Sequence, residues 1–293
     1  MSGVQQVVTK EDERYPERLK EIPDAPKQLY YKGNWDDSIF ESCLAVVGAR
    51  RMTSYGKRVT EQLVGELASS GITIVSGFMY GVDAMAHKAA VNVGGKTIAV
   101  MPCGIDLIHP EYQKDLYKEI LNSGGLVISE YEGDTAPGYW TYPRRNRIVA
   151  GLSQAILVVE AAEKSGSLIT ASLAKKFGRT LFSVPGPITS AVSQGTLSLI
   201  EDGAVLVRNS GVILSYYKKQ AGKTMPLFKE ENGRNAGGNK TEKNIMEHLK
   251  REPMDLDTLS RASNISAAEL GTALSLMQLN GFIAEDGGKY YVI

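Results

Sequence analysis

Four short stretches of this 293-residue chain concentrate the residue types that hold anions. Gly48-Ala49-Arg50-Arg51 closes an apolar run, and Ser76-Gly77 closes the next, with Gly81 a few residues on. Tyr142-Pro143-Arg144-Arg145-Asn146-Arg147 places arginines near a helix start, and Ser165-Gly166-Ser167 precedes an apolar helix. Glycines let backbone amides approach a ligand, serines add hydroxyls, and guanidinium forks match phosphate oxygens. Each stretch alone also has an ordinary explanation. A serine before a helix caps it for ~0.5–2 kcal/mol, and a single surface arginine more often meets a carboxylate than a ligand. Four such loops together read as one phosphate-binding cleft. Phe78, Tyr80, Tyr139, Trp140 and Tyr142 lie beside them and offer stacking surfaces, each stacked base contributing ~1–3 kcal/mol in single-strand binders.

Groups that could turn a substrate over are fewer. Glu160 stands at the carboxyl end of an apolar strand. It would serve either as the carboxylate of a nucleotide N-glycosidase, assisted by a nearby arginine, or as a structural acceptor. The chain lacks the Gly-Gly-x-Gly-Thr loop of a phosphoribohydrolase of related fold, which favours the structural role. Asp83 and His87, one helical turn apart, have the spacing of an acid–base pair. The simpler reading makes Asp83 a support for the Gly81 loop and His87 a hydrogen-bonded, partly buried residue. A nicotinamide site is excluded by the missing GxGxxG and by Ser76-Gly77 where a ribose-binding acid would stand. His109 and His248 have no partners at ligand spacing, so neither metal nor cofactor is expected, and Cys43 and Cys103 read as packing residues.

For these loops to share a cleft, a parallel sheet must carry them. Strand-length apolar runs at Leu44–Val47, Ile72–Val75, Thr97–Met101, Leu126–Ser129, Ala155–Glu160 and Thr180–Val184 alternate with helical segments. That alternation predicts a doubly wound, mostly parallel α/β sheet, whose ligands sit beyond the carboxyl ends of its strands. Helices are expected near 111–121, 146–152, 168–177 and 196–201. The predicted organisation is an arm over 1–38 with one short helix and one strand, a Rossmann-like core over 39–217, a linker over 218–240 and a small domain over 241–293. This tail shows three helical patterns and a hairpin signal at Asp286-Gly287-Gly288, together a winged helix. Its acids outnumber its bases, and the candidate recognition helix from Ser266 carries Glu269 and no cation, which points to protein contact rather than groove reading.

Lys plus Arg equals Asp plus Glu at 33 each, so any attraction for an anion must be local. A hydrophobic share of 43% and a charged share of 23% are ordinary for a globular protein. No apolar run reaches the ~18 residues of a membrane span and the first residues show no signal-peptide core, so a cytoplasmic location without membrane attachment is expected.

VVGARR, SGFMYGVDAMAH, MPCGIDLIHPEYQK, SEYEGD, YPRRNRIVAGLS, VVEAAEKSGSLITA and FSVPGP, in this order between Tyr15 and Leu206, together resemble the DNA-processing protein A family (DprA, also called Smf). The resemblance implies an extended Rossmann fold that binds single-stranded DNA, protects incoming DNA in natural transformation and helps load a RecA-type recombinase, without catalytic turnover. It places the DNA contacts at Gly48, Arg50 and Arg51, at Ser76, Gly77 and Gly81, at the turn Arg144, Arg145, Asn146 and Arg147, and at Ser165, Gly166 and Ser167. Lys114 is a further position, although HPEYQK departs from the family's Tyr-Pro-x-x-Asn. Members are homodimers, and the resemblance places self-association at Gly195 to Ala204. A winged-helix tail is a family option, and many members carry a helix-hairpin-like N-terminal domain where this chain shows a short arm.

Overall fold

The computed structural model describes residues 6–220, 222 and 240–292. The chain divides into two compact units, Met1–Met225 and Pro226–Ile293.

The first unit is built on a nine-stranded sheet. Its strands are β1 (Gln6–Thr9), β2 (Gln28–Gly33), β3 (Cys43–Val47), β4 (Thr73–Ser76), β5 (Thr97–Gly104), β6 (Leu126–Tyr131), β7 (Ala155–Val158), β8 (Thr180–Ser183) and β9 (Val205–Leu206). They lie in the order β1-β2-β6-β5-β4-β3-β7-β8-β9. From β6 to β9 every pairing is parallel, while β1 and β2 add an antiparallel edge. The arm is therefore part of the sheet, with two strands and the short helix α1 (Glu17–Lys20).

Side chains alternate across the central strands as a two-sided sheet requires. Cys43, Ala45 and Val47 of β3, Ile98 and Val100 of β5, and Ile156 and Val158 of β7 face one layer. Helices α1, α5 (Thr141–Leu152) and α6 (Ser167–Lys176) supply that layer through Leu19, Ile148 and Ala171. Leu44, Val46, Ala155 and Leu157 face the opposite layer, with α2 (Ser54–Ser69), α3 (Val82–Asn92) and α8 (Ser210–Gln220). Helix α4 (Lys114–Asn122) packs Tyr117 and Ile120 with Met101 and Val127 on this second side, and α7 (Gln194–Glu201) follows β8.

All six predicted core strands are present, with ends shifted by a few residues, and two of the helix boundaries differ more. Helix α5 starts at Thr141 instead of 146, with Pro143 in its first turn, where a missing N–H is harmless. Helix α8 runs to Gln220, so the first residues expected in the linker, Lys218 to Gln220, are helical, and Lys240 opens the next helix. The rest of the expected linker, apart from Gly222, lies outside the described residues.

The chain leaves β3 for β4, β5 and β6 on one side and then returns to β7 on the other. Loops leaving β3 and β7 diverge at this switch point, and a crevice opens between them.

The second unit comprises α9 (Lys240–Leu249), α10 (Leu256–Ser263), α11 (Ala267–Leu279) and the hairpin β10 (Ile283–Asp286) with β11 (Lys289–Val292). Ile245, Leu249, Leu259, Leu270, Leu274, Met277 and Ile283 form its core. Asp286 pairs with Lys289, so Gly287 and Gly288 make a two-residue turn with φ of 59° and 78°, as a tight right-twisted hairpin demands. Asp255 caps α10 by accepting from the Thr258 amide at 2.8 Å. Among the described residues no helix is long and apolar enough to cross a membrane.

Candidate nucleic-acid interface

At the switch point lies an open cleft of about 700 Å³. Gly48, Arg50 and Arg51 of the loop after β3 form one wall, and Lys164, Ser165, Gly166 and Ser167 of the loop after β7 form the other. Tyr139, Tyr142, Arg145 and Asn146, from the start of α5, contribute the rest of the rim and floor.

Arg50 is the cation best placed for a ligand. Its guanidinium lies 5.8 Å from the centre of the Tyr80 ring and 5.4 Å from that of Tyr142. Two aromatic faces fix the plane of the group without consuming its N–H donors. Tyr142 is itself held, its hydroxyl 2.8 Å from His109 Nε2. Burial and the nearby Arg50 charge both push the His109 imidazole below its usual pKa. Tyr139 is 99% exposed at the rim, and Trp140 is 62% exposed with its edge against Tyr131, 5.8 Å between ring centres.

Opposite, Ser165 and Ser167 share a hydroxyl–hydroxyl bond of 2.7 Å, and the Ser167 amide donates to Ser165 Oγ at 3.3 Å. The N-cap of α6 is Gly166, with no side-chain cap and open space over its Cα. The expected capping serine is thus replaced by a serine pair that shapes the loop and leaves the helix start facing the cleft. Lys164, exposed on this wall, escaped the sequence reading; a cation adjoining Ser-Gly-Ser in AAEKSGS was the available signal.

The arginines of Tyr142–Arg147 do not form the shared grip that a turn would have given. They lie on a helix, where successive side chains diverge and i,i+3 residues share a face. Arg144 and Arg147 both turn to Glu130, at 3.2 Å and 2.6 Å, and Arg147 Nε also stands 3.2 Å from Asp24. Arg147 is buried in this network and lies outside the cleft lining. Arg145 points to the sheet, where its Nη1 donates to the carbonyls of Gly77 and Val100 and its Nε to Asn146 Oδ1 at 3.2 Å. Burial lowers its pKa to about 10, opposed by Asp83, so it stays charged at neutral pH.

The loop after β4 sits beneath the cleft. Ser76 is fully buried and donates its hydroxyl to the Val46 carbonyl at 2.6 Å, so it holds two strands together instead of meeting a phosphate. A Cβ on Gly77 would stand 2.5 Å from an Arg145 nitrogen and 2.6 Å from Asp83, so this glycine makes room for that pair. Gly81, at φ 81°, lets the loop turn against the Ala49 and Arg50 carbonyls, supporting the Arg50 loop from below. Lys114 pairs with Glu111 at 2.6 Å and does not line the cleft.

Asp83 is a support for this loop, its carboxyl pKa raised by burial against the opposing charge of Arg145. His87 is fully buried instead of partly so. Thr97 Oγ1 donates to the Ile74 carbonyl, so at 2.7 Å it accepts from His87 Nδ1–H, and Nε2 is left unprotonated and without a partner. Glu160 is buried and accepts from the Thr53 amide at 2.9 Å and from the Thr53 hydroxyl, at the start of α2. Among the described residues no group of His, Cys, Asp and Glu could hold a metal ion.

Residues 6–218 match the model of DNA recombination-mediator protein A, and residues 230–289 match the DprA winged helix domain. The chain belongs to the DNA recombination-mediator protein A family. Protein Smf of Synechocystis is 33% identical over 98% of this chain and 79% of its own length. The crystal structure of DNA processing protein A from Streptococcus pneumoniae is 40% identical, covers 72% of this chain and 74% of its own, and superposes with a TM-score of 0.68. A structure of DNA processing protein A from Helicobacter pylori, described for its unique single-stranded DNA binding mode, is 35% identical over 75% of this chain and 99% of its own, with a TM-score of 0.65. Family membership accounts for the α/β core and the winged-helix tail together. At the cleft of the switch point, exposed cations, the serine loop and exposed aromatic rings coincide.

Proposed function

We propose that this cleft binds single-stranded DNA, and that the protein, as a homodimer in the cytoplasm, protects incoming DNA and helps load a RecA-type recombinase without catalytic turnover. The observation that carries the DNA reading is the Arg50 guanidinium, held between Tyr80 and Tyr142 and facing Lys164 and the Ser165–Ser167 loop across an open cleft. An open cleft with cations on both walls and exposed rings at its rim suits a flexible polyanion. Its charge is local in a chain of zero net charge, so binding should be steeply salt-dependent. The Helicobacter pylori relative's description as a single-stranded DNA binder supports the same reading.

The phosphate contacts are assigned to Arg50, Arg51, Lys164 and the loop Ser165 to Ser167, with Tyr139 and Trp140 as the stacking surface. Engagement of Glu160 by Thr53, away from the cleft lining, supports binding over an N-glycosidase. The test is titration with oligo-dT, followed by Trp140 and tyrosine fluorescence, beside duplex DNA and NAD. Quenching by oligo-dT alone is expected; equal response to NAD would refute the assignment.

A further inference from the structure

In an open α/β sheet the start of the helix after the first switch-point strand is the usual receptor for a nucleotide's phosphate, because free amides and the helix dipole converge there. In this protein that position, the start of α2, already holds an anion. Glu160 comes from the end of the strand on the other side of the switch point and lays its carboxylate over the first turn. One oxygen accepts from the Thr53 amide at 2.9 Å and the other from the Thr53 hydroxyl. Thr53 in turn caps α2 by accepting from the Gly56 amide at 3.1 Å. A Cβ on Gly56 would collide with the Glu160 carboxylate, so this glycine is what allows the acid to lie flat on the helix. Glu160 is 3% exposed, and neither it nor Thr53 lines the open cleft.

We propose that Glu160 is a specificity residue of the cleft: it fills the nucleotide-phosphate position of the fold with a protein carboxylate. Small phosphorylated ligands are thereby denied their anchor, and phosphate contacts are confined to the two walls, Arg50 and Arg51 on one and Lys164 and Ser165–Ser167 on the other. A mononucleotide or pyrophosphate then meets only exposed side chains and is held weakly. A DNA strand, which places several phosphates along the trough, is held by their sum. This inference rests on the single-strand reading of the cleft and deepens it by stating what the cleft excludes.

The test compares wild type, Glu160→Gln and Glu160→Ala in the full-length protein, each titrated calorimetrically with inorganic pyrophosphate and, separately, with oligo-dT. Glutamine keeps the shape and, through its carbonyl oxygen, can still accept from the Thr53 amide, while its NH2 replaces the acceptor of the Thr53 hydroxyl and the charge is removed; alanine also opens the space. Wild type is expected to bind oligo-dT and to show no pyrophosphate binding at millimolar concentration. Glu160→Ala should gain pyrophosphate affinity at least about tenfold, the factor one charge-assisted hydrogen bond supplies, and glutamine, which still fills the position, should gain less. A purely structural Glu160 would change thermal stability and leave pyrophosphate affinity unmoved within about twofold, and that result in folded Glu160→Ala would overturn the proposal. Should Glu160→Ala fail to fold, Glu160→Ser, which also vacates the position, decides by the same measure. Failure of wild type to bind oligo-dT would instead refute the single-strand reading, so the two outcomes are separable.

Discussion

Replacing Arg50 by alanine is the sharpest probe of the cleft, because the exposure of this side chain lets a change in binding be told from a change in folding. The side chain is exposed, and its partners are the ring faces of Tyr80 and Tyr142 at 5.8 Å and 5.4 Å. Each such contact at an exposed site contributes ~0.5–1 kcal/mol, so the melting temperature should fall by only a few degrees. A phosphate held by this guanidinium would lose a charge-assisted hydrogen bond worth roughly 1.5–3 kcal/mol, which is a ten- to hundredfold weaker dissociation constant for oligo-dT. The slope of log affinity against log salt should shrink by ~0.7, one phosphate's share for a single strand. Fluorescence anisotropy of labelled oligo-dT across a salt series reads both quantities. Arg50→Lys keeps the charge but not the plane that the rings hold, so it should retain the slope with intermediate affinity. A folded Arg50→Ala protein with wild-type affinity and slope would refute the phosphate assignment, whatever else the cleft binds.

Arg147→Ala should behave in the opposite way, costing ~1.5–3 kcal/mol of stability by leaving the half-buried Glu130 to Arg144 alone, with an unchanged salt slope wherever the protein is folded; chemical denaturation beside anisotropy checks this. Lys164→Ala should lower the salt slope by ~0.7 with a stability change within ~0.5 kcal/mol. Tyr139→Ala should weaken oligo-dT binding by ~1–3 kcal/mol per stacked base and leave the slope intact, and a change in slope would move this residue from stacking to positioning. Burial holds the His87 imidazole down to about 3 against an ordinary 6.5. The unfolded chain therefore takes up a proton first as pH falls below 6.5, and stability is lost at up to ~1.4 kcal/mol per pH unit, or ~2 kcal/mol by pH 5. Urea titrations of wild type and His87→Gln between pH 7 and 5 should differ in slope by that amount, and parallel curves would refute it.

Several features of the site were legible in the sequence because they depend on local chemistry. Short apolar runs ending in glycine, serine and arginine specify strands whose carboxyl ends carry open loops, and the Gly48–Arg51 and Ser165–Ser167 loops do meet across the cleft. The hairpin at Asp286-Gly287-Gly288 followed from the positive φ that only such residues adopt readily. The direction of each cation was not legible. Reading Arg144 to Arg147 as a turn places all of its arginines on one surface. Once α5 begins at Thr141, the helical period sends Tyr142, Arg145 and Asn146 to the cleft and Arg144 and Arg147 to Glu130. The partners that settle this, Glu130, Asp24 and the Val100 carbonyl, are remote in sequence and arrive only with sheet order.

Composition and spacing thus determined that this chain builds a parallel sheet edged by anion-seeking loops, since those choices are fixed by backbone geometry within a few residues. Tertiary structure decided which charges stay available. Ser76, Arg145 and Glu160 are buried, where a polar group left unpaired is costly, so each is tied to a protein partner. Arg50 and Lys164 lie in the cleft lining where water reaches them, so their charges need no protein partner.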